Sequence, residues 1–199
     1  ETTPETIFPG MGILNNLSPG LKPTIKDLMT LMIVISDNSA TNMVIDEVGI
    51  DFINTFCEEK ELLQTKLERK LFDKEGMKKG LNNYTTPKDM GFLLEGLLTK
   101  QLMLPEDCNA AIEILMRQQV NTKIPSKIIE RWDLILGTNI WKVAHKTGDM
   151  PGIEHDVGVV FTERNEVVVA VMTEKTDNEK AIDFIGSLTK IALDFFERQ

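Results

Sequence analysis

The sequence predicts an α+β fold, and three observations carry that prediction. Apolar residues recur at helical spacing through the first half; from Trp141 they become β-branched and run in short stretches; from about Asn178 to Arg198 the helical spacing returns. Helices first, then strand, strand, strand and helix is not the alternation of a doubly wound sheet.

From Thr24 to Ile35 the apolar residues Ile25, Leu28, Met29, Leu31, Met32, Val34 and Ile35 are too dense for a surface helix, so a buried one is expected. Thr24, with Asp27 three residues later, supplies a capping signal. Ser36-Asp37-Asn38 interrupts the pattern with side chains that favour turns, and a helix resumes from Thr41 to Val48 before Gly49. A short helix over Asp51 to Lys60 follows. The stretch 64–86 holds Gly76, Gly80 and Asn82-Asn83 without sustained periodicity, and is too long for an ordinary connection. Pro87 to Lys100 and Pro105 to Gln119 are amphipathic helices, each opening on a proline that a first turn tolerates.

Trp141 to Lys146, Val157 to Thr162 and Val167 to Thr173 form an antiparallel meander, separated by Gly148, Pro151 and Gly152 and then by Arg164-Asn165. Residues 1–138 are thus expected as a mainly helical part with an Ω-like loop at 64–86, and 139–199 as strands and a closing helix of the same domain. Three strands and one helix make a thin layer with an open face and edge. Missing elements are expected to cover them, from sequence upstream of Glu1 or from another, swapped chain.

The composition, 42% hydrophobic and 27% charged over 199 residues, excludes disorder, collagen and a disulfide scaffold. A net charge of -9, from 22 basic and 31 acidic residues, repels a phosphate backbone, so nucleic acid is not an expected partner. Apolar runs such as Leu31 to Ile35 and Val167 to Met172 are far short of the roughly 20 residues of a membrane-spanning helix. The opening Glu1-Thr-Thr-Pro-Glu has no initiator Met, basic n-region or apolar h-region and reads as the start of a processed or excised piece. Cys57 and Cys108 cannot form a zinc site alone; buried thiols and a disulfide both remain open. His145 and His155, without a carboxylate or thiol at ligand spacing, read as a strand-face and a turn residue; no metal or cofactor is expected. Met29, Met32, Met43, Met90 and Met116 read as core filler.

Two tripeptides stand out. Taken singly, Ser36-Asp37-Asn38 reads as a capping turn and Lys146-Thr147-Gly148 as a strand end with a solvated lysine. Their order, and their placement at a helix corner and a strand end, fit the paired S-D-N and K-T-G marks of penicillin-recognising serine enzymes. With Thr24 to Asp46, with Asn83-Tyr-Thr-Thr-Pro-Lys-Asp-Met, and with His145-Lys-Thr-Gly followed by Pro151-Gly-Ile-Glu-His-Asp-Val-Gly-Val-Val, the chain resembles class A serine β-lactamases and their penicillin-binding-like relatives along nearly its whole length.

The resemblance implies an acyl-enzyme mechanism on a β-lactam or peptide-like substrate, and an extracytoplasmic bacterial location. It implies that Ser36 relays a proton to the leaving nitrogen and that Asn38 bonds the substrate's acylamide side chain and a catalytic lysine. Lys146 and Thr147 would receive the substrate carboxylate, Gly148 would let the substrate lie against the strand, and the Asp149 N–H would be an oxyanion donor.

Two departures qualify it. The S-x-x-K nucleophile motif of the family does not precede Ser36, so the N-terminal helix, first strands and motif-bearing helix are read as absent from this chain, which alone is expected to be inactive. The only S-x-x-K, Ser187-Leu188-Thr189-Lys190, is a decoy on a helix whose stripe is Ile182, Ile185, Leu188, Ala192 and Phe195 and whose Asp183, Ser187, Lys190 and Asp194 are solvated. The family's Ω-loop glutamate, in R-x-E-x-x-L-N, falls here on Leu71 counted from Arg69, or on Lys70 counted from Pro87. Neither serves as a base on water. Asp73 and Glu75 are candidate substitutes, or else ordinary loop carboxylates. Slow deacylation, as in a penicillin-binding protein, and a non-catalytic binding module on the same fold are the alternatives to fast hydrolysis. Arg69 and Asn83 match the ion pair at the neck of that loop; with Asn in place of an acid, one hydrogen bond and a looser loop are expected.

Overall fold

The structure, a computed structural model, describes residues 1–129 and 141–198. The chain divides into two compact units, Glu1–Asp89 and Met90–Gln199. The boundary expected at 138/139 lies outside the described residues.

In the first unit, helix α1 (Ile25–Val34) opens on a full capping box: Thr24 accepts from the Asp27 N–H, and the Asp27 side chain accepts from the Thr24 N–H. Helix α2 (Asn38–Val48) starts three residues earlier than the apolar pattern suggests, because Asp37 caps it by accepting from the Ala40 N–H. Helix α3 (Ile50–Glu59) follows after Gly49, whose φ of 88° suits a residue without a Cβ. The core of this unit gathers Leu14, Leu28 and Ala40, with Ile7, Leu31 and Met43 against them. Only Leu28 and Val34 of α1 are buried, and Ile25 and Met29 are 45% and 39% exposed, so α1 is not the buried helix expected. Met116 is exposed too, and neither it nor Met29 is core filler. The stretch 64–86 is not featureless: it holds a short helix α4 (Lys74–Lys78) and an antiparallel bridge between Lys66 and Tyr84.

Helix α5 (Pro87–Leu98) begins at the division between the units, and α6 (Pro105–Leu115) lies wholly in the second. Strands β1 (Lys142–Met150), β2 (Ile153–Phe161) and β3 (Glu166–Glu174) form an antiparallel sheet in the order β1-β2-β3. The β1–β2 hairpin turns on Pro151 and Gly152, with Met150 opposite Ile153 and Gly152 at a φ of 77°. All three strands outrun their β-branched stretches. The Lys-Thr-Gly tripeptide therefore lies within β1, not at its end, and His155 lies within β2, not in a turn. Strand pairing continues wherever the ladder bonds can be made, and polar residues do not stop it when the sheet face gives them partners.

Helix α7 (Asn178–Phe196) closes the chain. Its buried face is Ala181, Ile185, Thr189 and Leu193 at i, i+4 spacing, rotated from the expected stripe, and Thr189 is accommodated by donating to the Ile185 carbonyl at 2.8 Å. Leu188 and Phe195, expected inside, are 38% and 59% exposed, and Phe184 and Ile191 lie outside with them. Ile185 and Leu193 join Val143, Val160, Val167 and Val169 in the core of this unit. Among the described residues, no helix is long and apolar enough to cross a membrane. Both cysteines are free and buried.

The sheet tolerates no side chain at Gly158. A Cβ there would lie 2.5 Å from the His145 Cβ and 2.6 Å from the Ala144 carbonyl oxygen, its cross-strand neighbours. Gly158→Ala is expected to lower stability by about 1–3 kcal/mol, read as a shifted urea midpoint. A midpoint equal to that of the parent protein would contradict this packing.

Candidate functional site

The first cluster is the corner between α1 and α2. Ser36 sits there at a φ of 53°, a left-handed conformation uncommon for a residue with a side chain. Asp37, 1% exposed, explains why the chain accepts it. One carboxylate oxygen caps α2 at Ala40; the other accepts from the N–H groups of Ile13 at 2.7 Å and Leu14 at 2.9 Å. Asn38 donates its side-chain N–H to the Pro9 carbonyl at 2.8 Å, and Ser39 accepts from the Phe8 N–H at 2.8 Å. Asp37, Asn38 and Ser39 thus fasten the segment 8–14 onto the helix corner.

The loop 64–86 is held by asparagine side chains that mimic backbone partners. Asn42 brackets Leu71, accepting from its N–H and donating to its carbonyl, both at 2.9 Å. Asn54 does the same to Leu67 at 2.8 Å. Asn83 accepts from the N–H groups of Glu68 and Arg69 and donates to the Arg69 carbonyl. The expected single side-chain bond between Arg69 and Asn83 is therefore replaced. Arg69 donates to the Leu81 and Lys70 carbonyls and to the Asn82 side chain, and the loop neck is tied at both residues. The candidate substitute bases have structural partners: Asp73 caps α4 at Gly76, and exposed Glu75 pairs with Lys78 at 2.7 Å.

The second cluster is on β1, which has one sheet neighbour among the described residues. Lys146 is half-buried and donates to the Thr147 carbonyl at 2.6 Å. Burial pushes its ammonium down to about 8 from the ordinary 10.5; Lys123 pushes the same way, and Asp149 and Asp156 oppose them. Thr147 is 4% exposed, and its hydroxyl has no hydrogen-bond partner among the described residues. Gly148 faces His155 across the ladder; an added Cβ there would meet the His155 side chain at ordinary contact distance. Asp149 is exposed. Ser36, Asn38, Asp73 and Glu75 belong to the first unit, and Lys146, Thr147, Gly148 and Asp149 to the second.

Beneath Lys146-Thr147-Gly148 lies a buried polar layer that the sequence reading missed: Lys123, His145, Glu154 and Asp156, none more than 4% exposed. The available signal was a pair of acids at alternate positions, Glu154 and Asp156, leading into the valine-rich run from Val157. Among the described residues, no group of three or more His, Cys, Asp or Glu side chains is arranged to hold a metal ion.

This arrangement of a helical part, a three-stranded antiparallel sheet and a C-terminal helix is the fold of class A β-lactamases and PBP-A. A β-lactamase from Sphaerobacter thermophilus matches 95% of this chain over 68% of its own, with a TM-score of 0.84 and 33% identity. PBP-A matches 98% of this chain over 70% of its own, with a TM-score of 0.84 and 27% identity. A mutant of PBP-A in an acyl-enzyme complex with penicillin G gives the same coverage and identity with a TM-score of 0.83. No curated protein matches the chain. The protein belongs to the β-lactamase enzyme family, whose model matches residues 1–196.

Two measurements test the local accounts. Asp37→Ala leaves three N–H groups without their acceptor and is expected to cost about 2–4 kcal/mol. Amide exchange should quicken first at Ile13 and Leu14; uniform exchange along the chain would refute the fastening role. The Lys146 side chain, followed by nitrogen NMR, should titrate near 8. The folded state releases this proton near 8 and the unfolded chain near 10.5, so the contribution of Lys146 to stability rises with pH between the two. A midpoint at the ordinary lysine value would contradict the buried placement.

Proposed function

We propose that this protein is the larger part of a penicillin-recognising serine hydrolase that works through an acyl-enzyme and deacylates slowly. The observation that carries the reading is the Lys146-Thr147 pair: a half-buried ammonium beside a buried hydroxyl that has no hydrogen-bond partner among the described residues, on a strand with one sheet neighbour among them. A polar atom left unpaired in a fold costs about 1–3 kcal/mol, and a ligand carboxylate beside the Lys146 ammonium would give the Thr147 hydroxyl an acceptor.

In this reading the reaction follows from proton and charge positions. A serine of an S-x-x-K segment outside this chain attacks the substrate carbonyl. The new bond is serine oxygen to acyl carbon, the bond broken is carbon to nitrogen, and Ser36 passes the proton to that nitrogen. Its left-handed backbone would present the hydroxyl at the helix corner. Asn38 would take the acylamide side chain of the substrate with its side-chain oxygen, which accepts no hydrogen bond among the described residues. Gly148 leaves the strand bare for the substrate, and the Asp149 N–H would face the oxyanion.

Deacylation needs a base on water, and the family position for it falls on Leu71, whose backbone Asn42 holds, or, counted from Pro87, on Lys70, whose ammonium pairs with Asp46. Asp73 and Glu75 already have structural partners. The acyl-enzyme is therefore expected to persist. The PBP-A mutant held as an acyl-enzyme with penicillin G supports the choice of ligand class. An extracytoplasmic location, where such substrates occur, belongs to the same proposal.

Fluorescent penicillin applied to the full-length gene product should give a covalent adduct that outlasts the assay. Leu71→Glu should shorten its lifetime by about tenfold or more. Absence of any adduct in a folded, S-x-x-K-bearing protein would leave only a non-catalytic binding module. Carboxylate-dependent acylation should also fall as pH rises through about 8, where Lys146 loses its charge.

A further inference from the structure

The polar layer under β1 holds a lysine whose role none of the above explains. Lys123 is 2% exposed and stands just before the turn of 3-10 helix Ile124–Lys127. Its ammonium forms an ion pair with Glu154 Oε2 at 2.5 Å and donates to the Gly148 carbonyl at 3.1 Å and the His155 carbonyl at 3.2 Å. Gly148 and His155 are partners across the β1–β2 ladder. One buried cation therefore binds both carbonyls of the rung that carries the glycine of Lys146-Thr147-Gly148.

The partner acid is anchored in turn. Glu154 Oε1 accepts from the Asn178 side chain at 2.7 Å, and Asn178 also donates to the Met150 carbonyl and accepts from the Gly152 N–H, both at 2.8 Å. Two residues along β2, Asp156 accepts from the Ile124 N–H at 2.9 Å and lies 2.9 Å from His145 Nδ1. Glu154 and Asp156 thus draw Lys123 and Ile124 onto the same end of the hairpin. Ion-paired, bonded to two carbonyls and 2% exposed, Lys123 is not presented to a substrate.

We infer that Lys123 and Glu154 are a positioning pair that fixes the Gly148–His155 rung and, through it, where Lys146 and Thr147 present their polar atoms. The inference rests on the proposed reading of Lys146 and Thr147 as a carboxylate site, but its structural core can be tested without a substrate. The groups whose charge reaches Lys146 are Asp149, Asp156 and Lys123, and of these only Lys123 acts with burial to disfavour the ammonium.

The variant Lys123→Met with Glu154→Met removes both charges together and avoids stranding either one. On the present chain, amide exchange at 147–149 is expected to rise about tenfold or more, with the global unfolding midpoint near that of the parent. The Lys146 titration should move up from about 8. Lys123→Met with Glu154→Gln, which keeps the shape of the acid and strands no charge, should show the same exchange effect and keeps the test alive if the first double variant does not fold. In the full-length protein the concentration of penicillin at half-maximal acylation rate should rise about tenfold, with the saturated rate nearly unchanged. Unchanged exchange and an unchanged Lys146 midpoint in a folded variant would overturn the inference. If those two readouts move and no penicillin adduct forms with the parent protein, the proposed function fails while the positioning of the rung stands.

Discussion

A carboxylate removed from water must be met by donors, and that requirement organises both units of this protein. In the first unit Asp37 gathers three backbone N–H groups, two of them from a segment more than twenty positions away in sequence. In the second, Glu154 and Asp156 gather an ammonium, a helix-turn N–H, an imidazole and an asparagine amide. Burying such a group unpaired would cost several kcal/mol. Each acid consequently dictates where distant backbone must lie. The helix corner and the β1–β2 hairpin take their shapes from these bonds as much as from apolar packing.

Apolar packing sets the frame within which those bonds are made. Val143, Val160, Val167 and Val169 bury one end of the sheet against Ile185 and Leu193 of α7, and the strands then run on past this core to Met150 and Ile153. Beyond the valines the buried positions are filled by His145, Thr147, Glu154 and Asp156. The same strands are apolar at one end and polar at the other. Lys146 stands at the changeover, and its depressed pKa records the competition: burial outweighs the attraction of Asp149 and Asp156.

The loop 64–86 shows how backbone without regular structure is kept in place. Asn42, Asn54 and Asn83 each present a carbonyl and an amide to the main chain, replacing the partner strand that the loop lacks. Asparagine suits this because it donates and accepts with one planar group and carries no charge to be desolvated. Asn83 in place of an acid thus exchanges a side-chain ion pair for bonds to main chain, and the neck stays closed. Leu71, bracketed by Asn42, is fixed in place without offering any acid–base chemistry.

The sequence by itself determined the class of fold, the order of its elements and the two tripeptides, because spacing, caps and turn residues act within a few positions of one another. Thr24 with Asp27, Pro87, Pro105 and Pro151-Gly152 all marked their boundaries locally. Only the tertiary structure decided which face of α7 is buried, how far the strands extend past their β-branched stretches, and that Lys123 lies beneath Gly148. Those outcomes depend on pairs such as Lys123 with Glu154 and Asn42 with Leu71, far apart in the chain, and one-dimensional periodicity carries no information on which polar group will find which partner. An acid at Glu154 reads as a solvated charge until the fold supplies the lysine that makes its burial tolerable.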